Sequence, residues 1–146
     1  MNSSGGLIRG RYTDDDDNDS KNYLDEMVNA YMECIDFTES ERLEGPSDDI
    51  GFYGFATEMD NQARRHCSDF LDACIDSNLD FLGLMGDPIA LSPVQMGHDF
   101  WFTRNRHGAG FWDRGLGDVG EKLTDIAQSM GEQDVYVADD GWAYFA

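Results

Sequence analysis

The chain has 146 residues, with 30 acids against 10 bases and a net charge of −20. Hydrophobic residues make up 40% and aromatics 12%, enough for a core and too many for a wholly disordered chain. Such a charge opposes contact with nucleic acid and with anionic membranes, and it favours basic partners. No run approaches the roughly 20 apolar residues of a membrane span. Leu7 and Ile8 are followed at once by Arg9 and Arg11, so the start lacks the apolar run of a secretory leader. Three widely spaced cysteines, Cys34, Cys67 and Cys74, do not form a disulfide framework and read as small buried hydrophobes. A cytoplasmic location is expected.

Charge is uneven along the chain. Residues 1–87 hold 21 acids and 6 bases, whereas residues 88–146 hold 9 acids and 4 bases. Residues 1–19 read as a disordered acidic tail, because the consecutive carboxylates Asp14 to Asp17 cannot pack. One α+β domain is expected over 20–146. The acids are consecutive, without the turn glycine and carbonyls of a calcium loop, which makes metal binding there a weak reading.

A helix is predicted over 20–37, from the spacing of Leu24, Met27, Val28, Tyr31 and Ile35. Asp19 or Ser20 would cap it, and Asp25, Glu26, Glu33 and Asp36 would lie on its outer face. Residues 38–50 read as an acidic connection, with a turn or new helix start at Pro46 and Ser47. A second helix is predicted over 56–78, with Met59, Ala63, Cys67, Phe70, Leu71, Cys74 and Ile75 as its apolar stripe. Asp69, Asp72, Asp76 and Asp80 fall in one line opposite, in steps of about 5 Å, with no lysine between them. Gly83, Gly86 and Pro88 then end the helical region, and residues 86–97 read as a loop.

The last third is rich in aromatic residues. The alternation of Phe100 and Phe102 against Trp101 and Thr103, with a turn at Asn105 to Gly108, predicts a β-hairpin over about 98–113. Leu116 to Met130 predicts a helix carrying Val119, Leu123, Ile126, Ala127 and Met130. A last hairpin is predicted from Asp134–Val137 and Trp142–Phe145 around Asp140-Gly141. The expected fold is therefore α+β: two or three helices on a small antiparallel sheet, with a C-terminal ββαββ order.

The stretch Gly97-His98-Asp99-Phe100-Trp101-Phe102-Thr103-Arg104-Asn105-Arg106-His107-Gly108-Ala109-Gly110-Phe111-Trp112-Asp113-Arg114-Gly115 resembles a segment of small uncharacterised proteins encoded by tailed bacteriophages and prophages. The similarity continues into Tyr136 to Gly141, with weaker echoes at Tyr31 to Cys34 and Cys67 to Phe70. This chain departs at Phe102, where the family leads one to expect a smaller aliphatic, and at Arg106, where it leads one to expect glycine. The acidic residues 1–20 are an addition. The resemblance implies a phage origin and carries over no catalytic residue.

Two sets of residues are candidates for function. The predicted hairpin gathers His98, Asp99, Arg104, His107 and Asp113 among bulky aromatics. A histidine there would serve as general base, an aspartate would orient it and Arg104 would hold an anion. The opposing view is a packed hairpin whose polar groups pair internally, since no nucleophile motif or phosphate loop accompanies them. His98 and His107 are nine residues apart, not a zinc-ligand spacing, so no metal and no cofactor is expected. The second set is the acidic helix faces: Asp25, Glu33, Asp36, Asp69, Asp72, Asp76 and Asp80. Carboxylates in a line can occupy a groove built for nucleic acid. The leading expectation is a phage accessory protein that binds and inhibits a host nucleic-acid-handling or defence protein, such as a restriction, CRISPR or nuclease complex. Its partner would be a basic protein surface, with no direct nucleic-acid binding and no membrane. The alternatives are a small enzyme or ligand-binding domain using 98–114, or a virion structural or assembly protein.

Overall fold

The computed structural model describes residues 14–44, 53–82 and 87–146. In chain order the elements are α1 (Asp14–Glu44), β1 (Gly54–Phe55), α2 (Thr57–Asp76), β2 (Leu79–Asp80) and β3 (Asp87–Pro88), then α3 (Pro93–Arg104), a 3-10 turn at Phe111–Asp113, α4 (Asp118–Ser129), β4 (Val135–Val137) and β5 (Trp142–Phe145). The fold is α+β, with four α-helices packed on a small sheet.

Helix α1 is longer than its apolar spacing predicts. Its five predicted core residues, Leu24, Met27, Val28, Tyr31 and Ile35, are all buried. It starts at Asp14, six residues before the predicted bound. Residues 1–13 of the expected tail, and the turn expected at Pro46, lie outside the described residues. Helix α2 buries its whole predicted stripe. Its chain leaves through Asn78, which takes φ 65° just past the Ser77 cap, a conformation asparagine tolerates better than most residues.

The predicted hairpin at 98–113 is not formed. Residues 93–104 are helix α3 instead. Ser92 accepts a hydrogen bond from the Gln95 N–H at 3.1 Å, and Pro93 occupies the first turn, a strong start signal. Among the residues that α3 buries, Met96, Phe100, Thr103 and Arg104 recur at helical spacing. Burying that stripe prevails over the aromatic alternation. The return segment is a turn in which Arg106 adopts φ 57°, the left-handed conformation that glycine takes without strain.

The main sheet has the order β1-β5-β4 and is mixed rather than antiparallel. The predicted hairpin of β4 and β5 is present, with Tyr136 opposite Tyr144 and Val137 opposite Ala143. Its turn ends at Gly141, φ 86°. The third strand comes from residues 54–55 and pairs parallel to β5. The short β2 and β3 form a separate parallel pair, where a loop was expected.

The core is threaded by a column of four rings from four elements. Tyr31 of α1 stacks on Phe100 of α3 (5.2 Å between centroids), Phe100 on Phe70 of α2 (4.3 Å), and Phe70 on Phe111 (5.7 Å). Trp101 meets Tyr31 edge-on at 5.5 Å and donates its indole N–H to Thr38 at 2.9 Å. Among the described residues, no helix is long and apolar enough to cross a membrane.

Close approach of α3 to α1 depends on Gly97. A Cβ there would lie 2.4 Å from the Met27 carbonyl oxygen and 2.8 Å from the Tyr31 nitrogen, both backbone atoms that cannot step aside. Gly97→Ala should therefore lose about 1–3 kcal/mol despite its better helix propensity. Gly108→Ala, where an added Cβ meets nothing within 4 Å, should stay within about 0.5 kcal/mol of the parent. Urea unfolding of the two variants checks both; equal stabilities would contradict the crossing described.

Candidate functional site

The polar residues of 98–114 are spent on the fold. Asp99 is buried and receives a two-pronged bond from Arg114, Nε to Oδ2 and Nη2 to Oδ1, each 2.9 Å. The Gln95 amide donates to the same carboxylate at 2.9 Å. Asp113 accepts from the Gly110 N–H at 3.1 Å, and the Thr103 hydroxyl accepts from the Phe111 N–H at 3.2 Å. These bonds fold the segment back on α3. The side chain of His98 is half-buried, and its carbonyl faces the Cys34 thiol at 3.8 Å. The ring of His107 stands edge-on to Phe102 at 5.8 Å. Among the described residues, neither imidazole hydrogen-bonds to Asp99, Asp113 or Arg104. The base–orienter–anion-holder set expected of an enzyme is thus not brought together.

Arg104 is the most unusual of these residues. It is buried, and its three donor nitrogens reach oxygens rather than a carboxylate: Nε the Gly131 carbonyl (2.8 Å), Nη2 the Met130 carbonyl (3.2 Å) and Nη1 the Tyr31 hydroxyl (3.0 Å). The first two oxygens lie just past the end of α4, where the helix dipole is negative. The guanidinium also sits 5.3 Å from the centre of the Phe100 ring. Because Tyr31 accepts from Arg104, its own proton is free for the Nδ1 of His66, 3.1 Å away. His66 is therefore neutral, with its hydrogen on Nε2. Burial, then the charges of Arg104 and Arg65, pull its pKa down to about 4. Burial pushes the Tyr31 phenol well above the ordinary value, with Arg104 opposing. This network links α1, α2, α3 and the end of α4.

The acidic candidates divide. Glu33, Asp36, Asp69 and Asp76 are exposed as expected, and Glu26 joins them on α1. The Ser40 hydroxyl donates to Asp36. Asp25 is corrected: it is half-buried and bound to Arg64 of α2 at 2.5 Å, across the two helices. Asp72 is half-buried. Asp80 is also corrected, because it lies past the helix end in β2, is buried, and accepts from the Leu82 N–H at 2.9 Å. The helix stops at Asp76, so its periodicity does not extend to residue 80. One base, Arg65, is exposed one turn before Asp69. A shallow cleft of about 240 Å³, lined by Leu24, Arg64, Arg65 and Asp69, lies between α1 and α2. Of the acidic candidates, Asp69 alone lines this cleft, beside two arginines.

Three further features were not anticipated from the sequence. A cleft of about 440 Å³ runs between Trp112, Leu116 and the Gly120–Asp125 side of α4. Tyr53, Tyr136 and Trp142 are exposed, although the alternation Trp142-Ala143-Tyr144-Phe145 already placed Trp142 and Tyr144 on one strand face. The pairing of Tyr31 with His66 left no local signal at all. Among the described residues, no group of three His, Cys, Asp or Glu could hold a metal ion. The three cysteines are free and buried, and burial pushes the Cys34 thiol up to about 12 and those of Cys67 and Cys74 higher still.

Fold and surface together define an acidic α+β protein with a closed polar interior and carboxylate-bearing helices. Comparison with protein-family models, with curated proteins and with solved structures finds no match.

His66 makes stability depend on pH in a definite direction. Its folded pKa, about 4, lies below the ordinary 6.5, so the unfolded chain takes up the proton first. This contribution is complete above pH 6.5 and is lost as pH falls towards 4. Urea unfolding across that window should show His66→Gln losing less stability than the parent on acidification. Parallel pH profiles would exclude the neutral, Tyr31-bound imidazole.

Proposed function

We propose that this chain is a phage-encoded acidic accessory protein that docks, through the carboxylates of α1 and α2, on a basic surface of a host nucleic-acid-handling or defence protein, in the cytoplasm of the infected cell. One observation carries the reading. The exposed faces of two adjacent helices present Glu26, Glu33, Asp36, Asp69 and Asp76, while Arg64 is held by Asp25, Arg114 by Asp99, and Arg104 is drawn inside. Three of the arginines are thus engaged by partners within the fold, while Lys21 and Arg65 stay exposed on the same two helices.

The spacing supports a groove-filling role. Glu26 to Glu33, and Asp69 to Asp76, are each seven residues apart, about 10 Å of helix rise. That equals about three axial phosphate steps of 3.4 Å along one DNA strand. Phe37, 84% exposed and one turn beyond Glu33, supplies an apolar anchor beside the charges. The phage origin rests on the resemblance of residues 97–115. The enzyme alternative loses support because Asp99 and Arg104 are buried in structural bonds.

The test is affinity capture from lysate of a susceptible bacterial host, at low and high salt, with the parent and with Glu26→Lys/Glu33→Lys/Asp69→Lys/Asp76→Lys. A nucleic-acid-binding partner should be retained at low salt, be released at high salt, and bind the fourfold variant at least about ten-fold more weakly. Circular dichroism should show an intact fold, since all four side chains are exposed. A partner held equally by parent and variant would refute docking through these helices.

A further inference from the structure

The sheet carries a surface that neither the acidic helices nor the buried network explains. Along β5, Ala143 is fully buried and Phe145 turns inward, its ring 4.8 Å from that of His66. Trp142 and Tyr144 therefore share the outer face. Tyr136 stands directly opposite Tyr144, with ring centres 6.0 Å apart. On the other side of β5, Gly54 is the partner of Trp142. It has no side chain, so the indole lies over it, 3.5 Å from where a Cβ would be, and meets the ring of Tyr53 at 5.8 Å. The result is a row of four aromatics, Tyr53, Trp142, Tyr144 and Tyr136, crossing all three strands. Exposures of 68% for Tyr53, 48% for Tyr136 and 41% for Trp142 leave the rings open to solvent.

Carboxylates edge the row. Asp140 accepts from the Tyr144 hydroxyl at 2.6 Å and from the Trp142 N–H at 2.9 Å, which keeps the tyrosine ring and the turn in place. Asp139 and Glu58 are exposed beside it, and the charges of Asp140 and Glu58 both act on the Tyr144 phenol. An open aromatic face edged by anions attracts flat cations: ring faces are negative, and a guanidinium stacks on them while its edge reaches a carboxylate. A nucleic acid strand would use the same rings but is repelled by a net charge of −20.

We propose that the outer face of the β1-β5-β4 sheet is a second binding surface, which takes an extended, arginine-bearing segment of a partner protein by stacking guanidinium groups on Trp142, Tyr144 and Tyr136. Spacing favours an extended segment. Alternate side chains of an extended chain stand about 6.6 Å apart, the same interval that separates Trp142 from Tyr144 along β5. Arginines two positions apart would meet Trp142 and Tyr144, and Tyr136 stands beside Tyr144 on β4 to flank the second guanidinium. This surface is distinct from the α1 and α2 carboxylates, and its recognition is by stacking as well as charge.

The probes are two fluorescent ten-residue peptides of equal charge, alternating Arg-Ser and alternating Lys-Ser, titrated by anisotropy at moderate salt. The arginine peptide should bind about five-fold or more tighter than the lysine peptide. Trp142→Ala/Tyr144→Ala/Tyr136→Ala should weaken it about ten-fold. The fourfold helix variant described above should retain the preference for arginine, which separates this surface from the helix-docking reading. In a Trp112→Phe background, where Trp142 is the remaining exposed indole, the arginine peptide should also change tryptophan emission. Equal affinity for the two peptides, undiminished binding by the aromatic variant, or an unresponsive Trp142 would each overturn the assignment. Sedimentation showing dimers of the parent and monomers of the aromatic variant, without arginine preference, would overturn it in favour of a second copy of this chain.

Discussion

A buried guanidinium holds this molecule together. Arg104 is a cation inside a protein that has a threefold excess of acids, yet it takes none of them as its partner. A desolvated charge is costly unless it is well hydrogen-bonded, and here each of the three nitrogens donates once, to two carbonyls at the negative end of α4 and to one phenol. That solution fixes three things together. It ties down the end of α4, it positions Tyr31 at the head of the ring column, and it leaves the Tyr31 hydroxyl to donate to the neutral His66. The stacked column of Tyr31, Phe100, Phe70 and Phe111 then joins elements distant in sequence.

The same interior explains the surface. Arg64, Arg104 and Arg114 are engaged in bonds within the fold, whereas Arg65 stays exposed beside the carboxylates of α2. Asp99 and Asp80 go the other way: both are acids taken inside and satisfied, one by Arg114 and Gln95, the other by backbone. Sorting of charge between interior bonds and exterior display is thus selective. It leaves two helices rich in exposed carboxylates and a sheet face rich in exposed rings, two surfaces of different chemistry on one small frame.

What the sequence reveals follows the range of the interactions. The stripes of α1 and α2 and the Asp140-Gly141 hairpin are local and were readable, down to individual buried residues. Residues 98–113 misled because their alternation of bulky residues fits a strand, whereas Ser92-Pro93 already marked a helix start and Met96, Phe100 and Thr103 recur at helical spacing. The start of α1 was masked by acids that suit a helix terminus as well as a tail. Asp80 was misplaced because a periodic line was continued past the point where Ser77 and Asn78 end the helix. The Arg104–Tyr31–His66 chain spans 73 residues between its outer members' shared partner and α3, and no local pattern encodes it. The aromatic row was hidden for the same reason, since one of its four rings lies on the far side of α2 and α3 in sequence.

The three thiols add a property of their own. Cys34 sits on α1, and Cys67 and Cys74 on α2, all buried and all with pKa values raised by that burial. A thiol reagent can reach them only when the helices part. Each cysteine is therefore a built-in clock for the opening of its helix, and labelling rates, read residue by residue, report whether α1 and α2 separate from the core as one cooperative unit or in succession.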